Sequence, residues 1–184
     1  MAEPAAAGSA AVVRPATRRD VPVLLDLFAE LAAYERLTHE LRATQDGLAA
    51  ALFGERPFAE ALLAERGAER GAAGMAGVAL GYALFFPTFS SFLTSPGVWL
   101  EDLFVCPAFR GEGVGRALLA AVAARTRELG AERLEWAALD WNELALGFYR
   151  RMGAVAAPEW VTHRLDGPAL DRVAGEGEIQ AARE

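Results

Sequence analysis

The run Val98-Trp99-Leu100-Glu101-Asp102-Leu103-Phe104-Val105 leads through Cys106-Pro107-Ala108-Phe109 into Arg110-Gly111-Glu112-Gly113-Val114-Gly115. An apolar stretch closed by a proline, then alternating glycines, then Leu118, Val122 and Leu129 at helical spacing, reads as strand, loop and helix. Glycines at such a junction leave backbone N–H groups open, often to a phosphate. The spacing is G-x-G-x-G, so the G-x-G-x-x-G dinucleotide fingerprint fails at its third glycine. A P-loop needs a lysine, and all 18 basic residues of this chain are arginine. What fits is R-x-x-G-x-G on Arg110, Gly113 and Gly115, a cradle that aims the amides of the first helical turn at a pyrophosphate. The competing reading is a tight strand-to-helix turn that binds nothing.

Around this unit the periodicities alternate. Val12–Arg14 is a short strand. Thr17-Arg18-Arg19-Asp20 is a capping-box start, with Val21, Leu24, Leu25, Phe28, Leu31 and Ala32 following at helical spacing. A second helix is expected over 45–52 with Gly54 as its stop, then strands over 59–65 and 78–86 around a Gly-rich turn at 67–77. A strand over 98–105 precedes a helix over 113–129 that buries Val114, Leu118, Val122 and Leu129 and ends at Gly130. A strand over 134–139, a helix over 143–152 ending at Gly153 and a last strand over 161–165 complete the order β-α-α-β-β-β-α-β-α-β, an α/β class. Residues 1–10 and 171–184 are expected to be disordered, which leaves one domain over 11–170.

The net charge of −7 argues against a nucleic-acid partner and accords with a cationic small molecule. No apolar run approaches the roughly 20 residues of a membrane span. The start MAEPAAAGSAA has no basic n-region, so a cytoplasmic protein is expected. Cys106, the single cysteine, excludes an intrachain disulfide, and its place before a proline reads as structural rather than nucleophilic. No spacing of His, Cys and carboxylates points to a metal.

VWLEDLFVCPAFRGEGVGRALL resembles the cofactor motif of the GNAT superfamily of N-acetyltransferases, and DWNELALGFYRRMGA resembles that superfamily's second cofactor motif. The span 11–166, through VVRPATRRD, ELAAYE, FFPTFSSF, LEDLFV, RGEGVG, WNELALGFYRRMGA and EW, is similar to the spermidine/spermine (diamine) N-acetyltransferase branch. The resemblance implies the GNAT acyl-CoA N-acyltransferase fold, a mixed central sheet with two splayed parallel strands, flanked by helices. It implies acetyl-CoA as co-substrate, bonded by the main chain of Leu103, Phe104 and Val105, with its pyrophosphate on Arg110, Gly111, Glu112, Gly113, Val114, Gly115 and Arg116. Asn142 would bond the pantetheine arm or hold the strand–helix turn. Tyr149 would lie against the cofactor and protonate the departing thiolate, and Glu101 would take the amine proton through an ordered water.

That proton matters, because an amine of pKa about 10 is neutral in roughly one molecule in a thousand near pH 7. Glu101 and Asp102 are adjacent on a strand and should face opposite sides unless a bulge alters the alternation. In the diamine branch, cationic acceptors lie among carboxylates and aromatics, and Tyr34, Glu35, Glu101, Asp102, Glu159 and Trp160 match those positions. The loop FPTFSSFLTSPG departs from the pattern, with Ser90, Ser91 and Phe92 where polyamine enzymes carry an acid and a tryptophan; Ala145 replaces a family serine. The acceptor therefore stays open between a diamine or polyamine and a thialysine-like amine. A peptide N-acetyltransferase and a non-catalytic acyl-CoA-binding module are the other readings. A homodimer is implied by the resemblance, with neither nucleic acid nor membrane as partner.

Overall fold

The computed structural model describes residues 11–67 and 77–181, so the disorder expected over 1–10 and most of the turn expected over 67–77 lie outside the described residues. The chain divides into two compact units, residues 1–139 and 140–184.

The first unit holds β1 (Val12–Pro15), α1 (Val21–Glu35), α2 (Gln45–Phe53), β2 (Glu60–Arg66), β3 (Val78–Ser90), β4 (Ser95–Val105), α3 (Val114–Glu128) and β5 (Arg133–Glu135). The strands form one sheet in sequence order, antiparallel except for the parallel pair β4–β5. On one face Leu24, Leu27, Leu48 and Leu52 of α1 and α2 join Leu63, Tyr82 and Phe104 in a single buried cluster. α3 packs against β2, β3 and β4 and buries Val114, Leu118 and Val122 as their spacing requires. Leu129 is only half-buried, because α3 ends at Glu128 and Gly130, at φ +71°, turns the chain away.

The capping box forms as read: the Asp20 carboxylate accepts from the Thr17 backbone N–H at 2.7 Å and from its hydroxyl at 2.8 Å. Asp20 also accepts a two-pronged bond from Arg14, at 2.8 Å on each oxygen. Arg14 reaches Glu65 on β2 as well, at 3.0 and 2.9 Å. The hydrogen bonds from Arg14 are the main reason Asp20 drops to a pKa of about 2 despite its burial.

FPTFSSFLTSPG is mostly strand rather than loop. β3 and β4 stay paired to Ser90↔Ser95, and only 91–94 turn, with Ser90 Oγ accepting from Leu93 N–H at 3.3 Å. Phe86, Thr88 and Phe89 favour extended backbone. Pro87 is tolerated because the β2 pairing ends at Phe85, leaving β3 one neighbour there. The strand expected over 134–139 is shorter, Arg133–Glu135.

The second unit contains α4 (Glu143–Arg151) and α5 (Gly167–Ala181). α4 stops before Gly153, at φ +89°. The strand expected over 161–165 does not form: those residues have no regular structure, and Val161 and Leu165 are exposed. Their alternation permits a strand, but no strand of this unit's described residues offers its backbone a ladder. Of the tail expected to be disordered over 171–184, residues 171–181 belong to α5 and 182–184 lie outside the described residues. Pro168 sits in the first turn of that helix, where a missing N–H is harmless, and the Asp166 carbonyl accepts from Ala169 and Leu170 at 3.2 and 3.3 Å.

Candidate active site

β4 changes character halfway along. From Gly97 to Trp99 it is paired on both sides, to β3 and, in parallel, to Arg133–Glu135. Beyond Trp99 the parallel pair parts, and the edge of Leu100–Val105 that faces away from β3 has no strand partner among the described residues. Leu103, Phe104 and Val105 all lie on that released stretch. Phe104 buries its ring in the core, and its carbonyl oxygen lies beside Gly81 of β3.

The register against β3 slips at the same place, from Leu100↔Phe85 to Asp102↔Leu84, which leaves Glu101 as an extra residue with no partner on β3. This β-bulge overturns the simple alternation. Asp102 arrives on the face of Tyr82 and Phe104, with the α1–α2 core cluster. The Tyr82 hydroxyl, in a wholly buried side chain, donates to Asp102 Oδ2 at 3.0 Å. Burial raises Asp102 to a pKa of about 6 against the pull of that bond, and the charges of Glu101 and Glu35 push the same way. Burial also raises the Tyr82 phenol and the Glu35 carboxyl.

Glu35 therefore stands within electrostatic reach of Asp102, although 67 residues separate the two in sequence. It ends α1, where the helix dipole disfavours a carboxylate. Among the described residues no arginine forms an ion pair with Glu35, Glu101 or Asp102. Glu101 is exposed, and its Oε2 accepts from the Trp99 indole at 2.8 Å.

The glycine loop is built to leave amides open. Gly111 and Gly113 stand at φ +85° and +86°, in the left-handed region, and Gly113 is the N-cap of α3 without a side-chain cap. The helix's first hydrogen bond runs from Ala117 N–H to the Gly113 carbonyl, so the amides of Val114, Gly115 and Arg116 have no acceptor within the helix. Val114 anchors this turn in the core, while Gly111, Glu112, Gly113 and Arg116 are exposed. The Arg110 side chain turns back: its Nε donates to the Val105 carbonyl at 3.0 Å and its guanidinium lies 4.6 Å from the Tyr34 ring centre. It thus ties the loop to the ends of β4 and α1. Glu112 pairs with Arg66, which also stacks over Phe109.

Cys106 is buried, and burial raises its thiol pKa, which disfavours the thiolate. In the second unit Asn142 caps α4, accepting from Ala145 N–H at 3.2 Å. Tyr149 lies on that helix, half-buried beside Phe148, with ring centres 5.3 Å apart. Glu159 and Trp160 are exposed in a turn. No described helix is long and apolar enough to cross a membrane.

Two residues of the first-unit site escaped the motif-based reading, Tyr82 and Trp99. Both had a signal: a buried phenol needs a partner, and Trp99 precedes Glu101 by two on one strand face.

Residues 24–154 match the model of the acetyltransferase (GNAT) family. The L-ornithine N5-acetyltransferase of Arabidopsis thaliana is 34% identical over 88% of this chain and 86% of its own length. The mouse thialysine N-epsilon-acetyltransferase is 32% identical over 89% of this chain and 96% of its own. Among solved structures, an integron cassette protein from V. cholerae superposes with a TM-score of 0.72 at 25% identity, covering 91% of this chain and 99% of that one. With open amides at the start of α3 after a bulged strand whose parallel pairing ends midway, and relatives matched along nearly their whole length, the chain belongs to the GNAT family and is an acetyltransferase.

Proposed function

We propose that the protein transfers the acetyl group of acetyl-CoA to a primary amine of a short acceptor carrying a second charged group, of the ornithine or thialysine kind. One observation carries this reading: the charges of Glu35 and Glu101 act on the buried Asp102, and among the described residues no arginine forms an ion pair with any of the three. Uncompensated carboxylates of this sort suit a cationic guest. The thialysine and ornithine acetyltransferases among the relatives support an amino-acid-sized acceptor over a long polyamine.

The residues then divide the work. The uncapped amides of Val114, Gly115 and Arg116 suit the pyrophosphate of acetyl-CoA, and the released edge of β4 suits its amide-bearing arm. When bound, acetyl-CoA supplies the activated acetyl group. Asp102 and Glu35 hold the acceptor's cationic groups. Glu101 receives the proton the ammonium must lose, by way of a water, so that a neutral amine attacks the thioester carbonyl. Tyr149 gives its proton to the departing thiolate. The family resemblance extends this reading to a homodimer working in the cytoplasm.

A turnover assay with acetyl-CoA across ornithine, thialysine, putrescine, spermine and a lysyl peptide tests the reading. Ornithine or thialysine should give the highest kcat/KM. Tyr149→Phe should lower kcat on the order of 10²–10⁴-fold while leaving acetyl-CoA affinity intact. Acetyl-CoA binding with no turnover of any amine would contradict the proposal.

A further inference from the structure

We propose that Trp99 is the positioning residue of the proton acceptor: its indole N–H holds one oxygen of Glu101 and so presents the other to the amine or its water. The inference rests on the reading of Glu101 given above. In a regular antiparallel ladder each side chain is steadied by the residue opposite. Glu101 has none on β3, because the register passes it by, and none on β5, because that pairing ends at Trp99↔Glu135. A glutamate in such a place samples many rotamers.

Trp99 is placed to supply what is missing. It is the last β4 residue with a neighbour on both sides, Phe86 on β3 and Glu135 on β5, and it is half-buried. Its indole N–H can only donate and an ionised carboxylate can only accept, so the pair has a single sense. The bond, 2.8 Å from Nε1 to Oε2, has the length of a charge-assisted contact. Oε1 carries no hydrogen bond among the described residues. The bulge thus frees Glu101 from the ladder, and the tryptophan two residues earlier fixes it again.

A double-mutant cycle on kcat separates positioning from mere packing. Trp99→Phe keeps an aromatic ring and removes the N–H. It should lower kcat about 10-fold, with the KM for acetyl-CoA and the urea midpoint close to wild type. Glu101→Ala should lower kcat on the order of 10²–10⁴-fold. In the Glu101→Ala background, Trp99→Phe should cost nothing more. An equal loss in both backgrounds, or an undiminished kcat for Trp99→Phe while Glu101→Ala is impaired, would overturn the positioning role. A wild-type kcat for Glu101→Ala would overturn the reading of Glu101 itself, and this inference with it.

Discussion

Two charge clusters in the first unit use the same residue types to opposite effect. Where β1, β2 and the start of α1 meet, Arg14 lies between Asp20 and Glu65 and bonds both, and Asp20 falls to a pKa of about 2. Where β4 bulges beside the end of α1, Asp102 feels the charges of Glu101 and Glu35 with no ion-pair partner among the described residues, and it rises to about 6. Arginine is not scarce there. Arg110 stacks on Tyr34, next to Glu35 in the chain, yet spends its Nε on the Val105 carbonyl. The first cluster stabilises the fold; the ionised Asp102 of the second opposes it.

The largest effect should come from breaking the compensated cluster. Arg14→Met leaves Asp20 and Glu65 buried without their cation and should destabilise the protein by about 3 kcal/mol in urea unfolding at pH 7, with activity per folded molecule unchanged. A loss below about 1 kcal/mol would show that the contrast between the clusters is overdrawn. Acid should reproduce part of this in the wild type. Asp20 titrates lower in the folded state than its ordinary 3.8, so its contribution is full above that value and disappears as pH falls from about 4 towards 2.

The uncompensated cluster should answer with the opposite sign and a smaller size. The folded state raises Asp102 above its ordinary 3.8, so its ionisation opposes folding, fully above about pH 6 and not at all below about pH 4. Asp102→Asn should therefore stabilise by about 1 kcal/mol at pH 7.5, a gain absent at pH 4. The same change should raise the KM for a dicationic amine about 10-fold, the worth of a hydrogen bond to a charged group. A variant that is less stable and binds amine normally would place Asp102 among the structural residues. Smaller still is Tyr82→Phe. Removing the hydroxyl that favours the ionised carboxylate should move the pH at which amine KM begins to rise upward, with kcat at pH 8 nearly unchanged.

The two clusters were unequally legible in the sequence. Thr17 and Asp20 lie three apart and announce their capping box, and Gly54, Gly130 and Gly153 mark helix ends by local chemistry alone. The glycine loop is legible for the same reason, since the left-handed backbone at Gly111 and Gly113 is a property of the residue type. The reach of Arg14 to Glu65 spans 51 residues and needs the β1–β2 register. The bulge at Glu101 depends on how β3 pairs with β4, which no window on β4 contains. Glu35 and Asp102 could be nominated from motifs, but their shared field comes from packing α1 onto the sheet. The strand expected over 161–165 failed because alternation says what a segment permits, while its neighbours decide what it does.

The acidic cluster at the bulge is the proposed seat of the cationic acceptor. The most direct test is a ¹³C NMR titration of the Asp102 carboxyl, assigned with Asp102→Asn, in the absence and presence of saturating ornithine. A midpoint near 6 is expected in the free protein. A bound cation favours the carboxylate, so ornithine should drive that midpoint down. A midpoint near 4 that ornithine does not move would contradict that proposal.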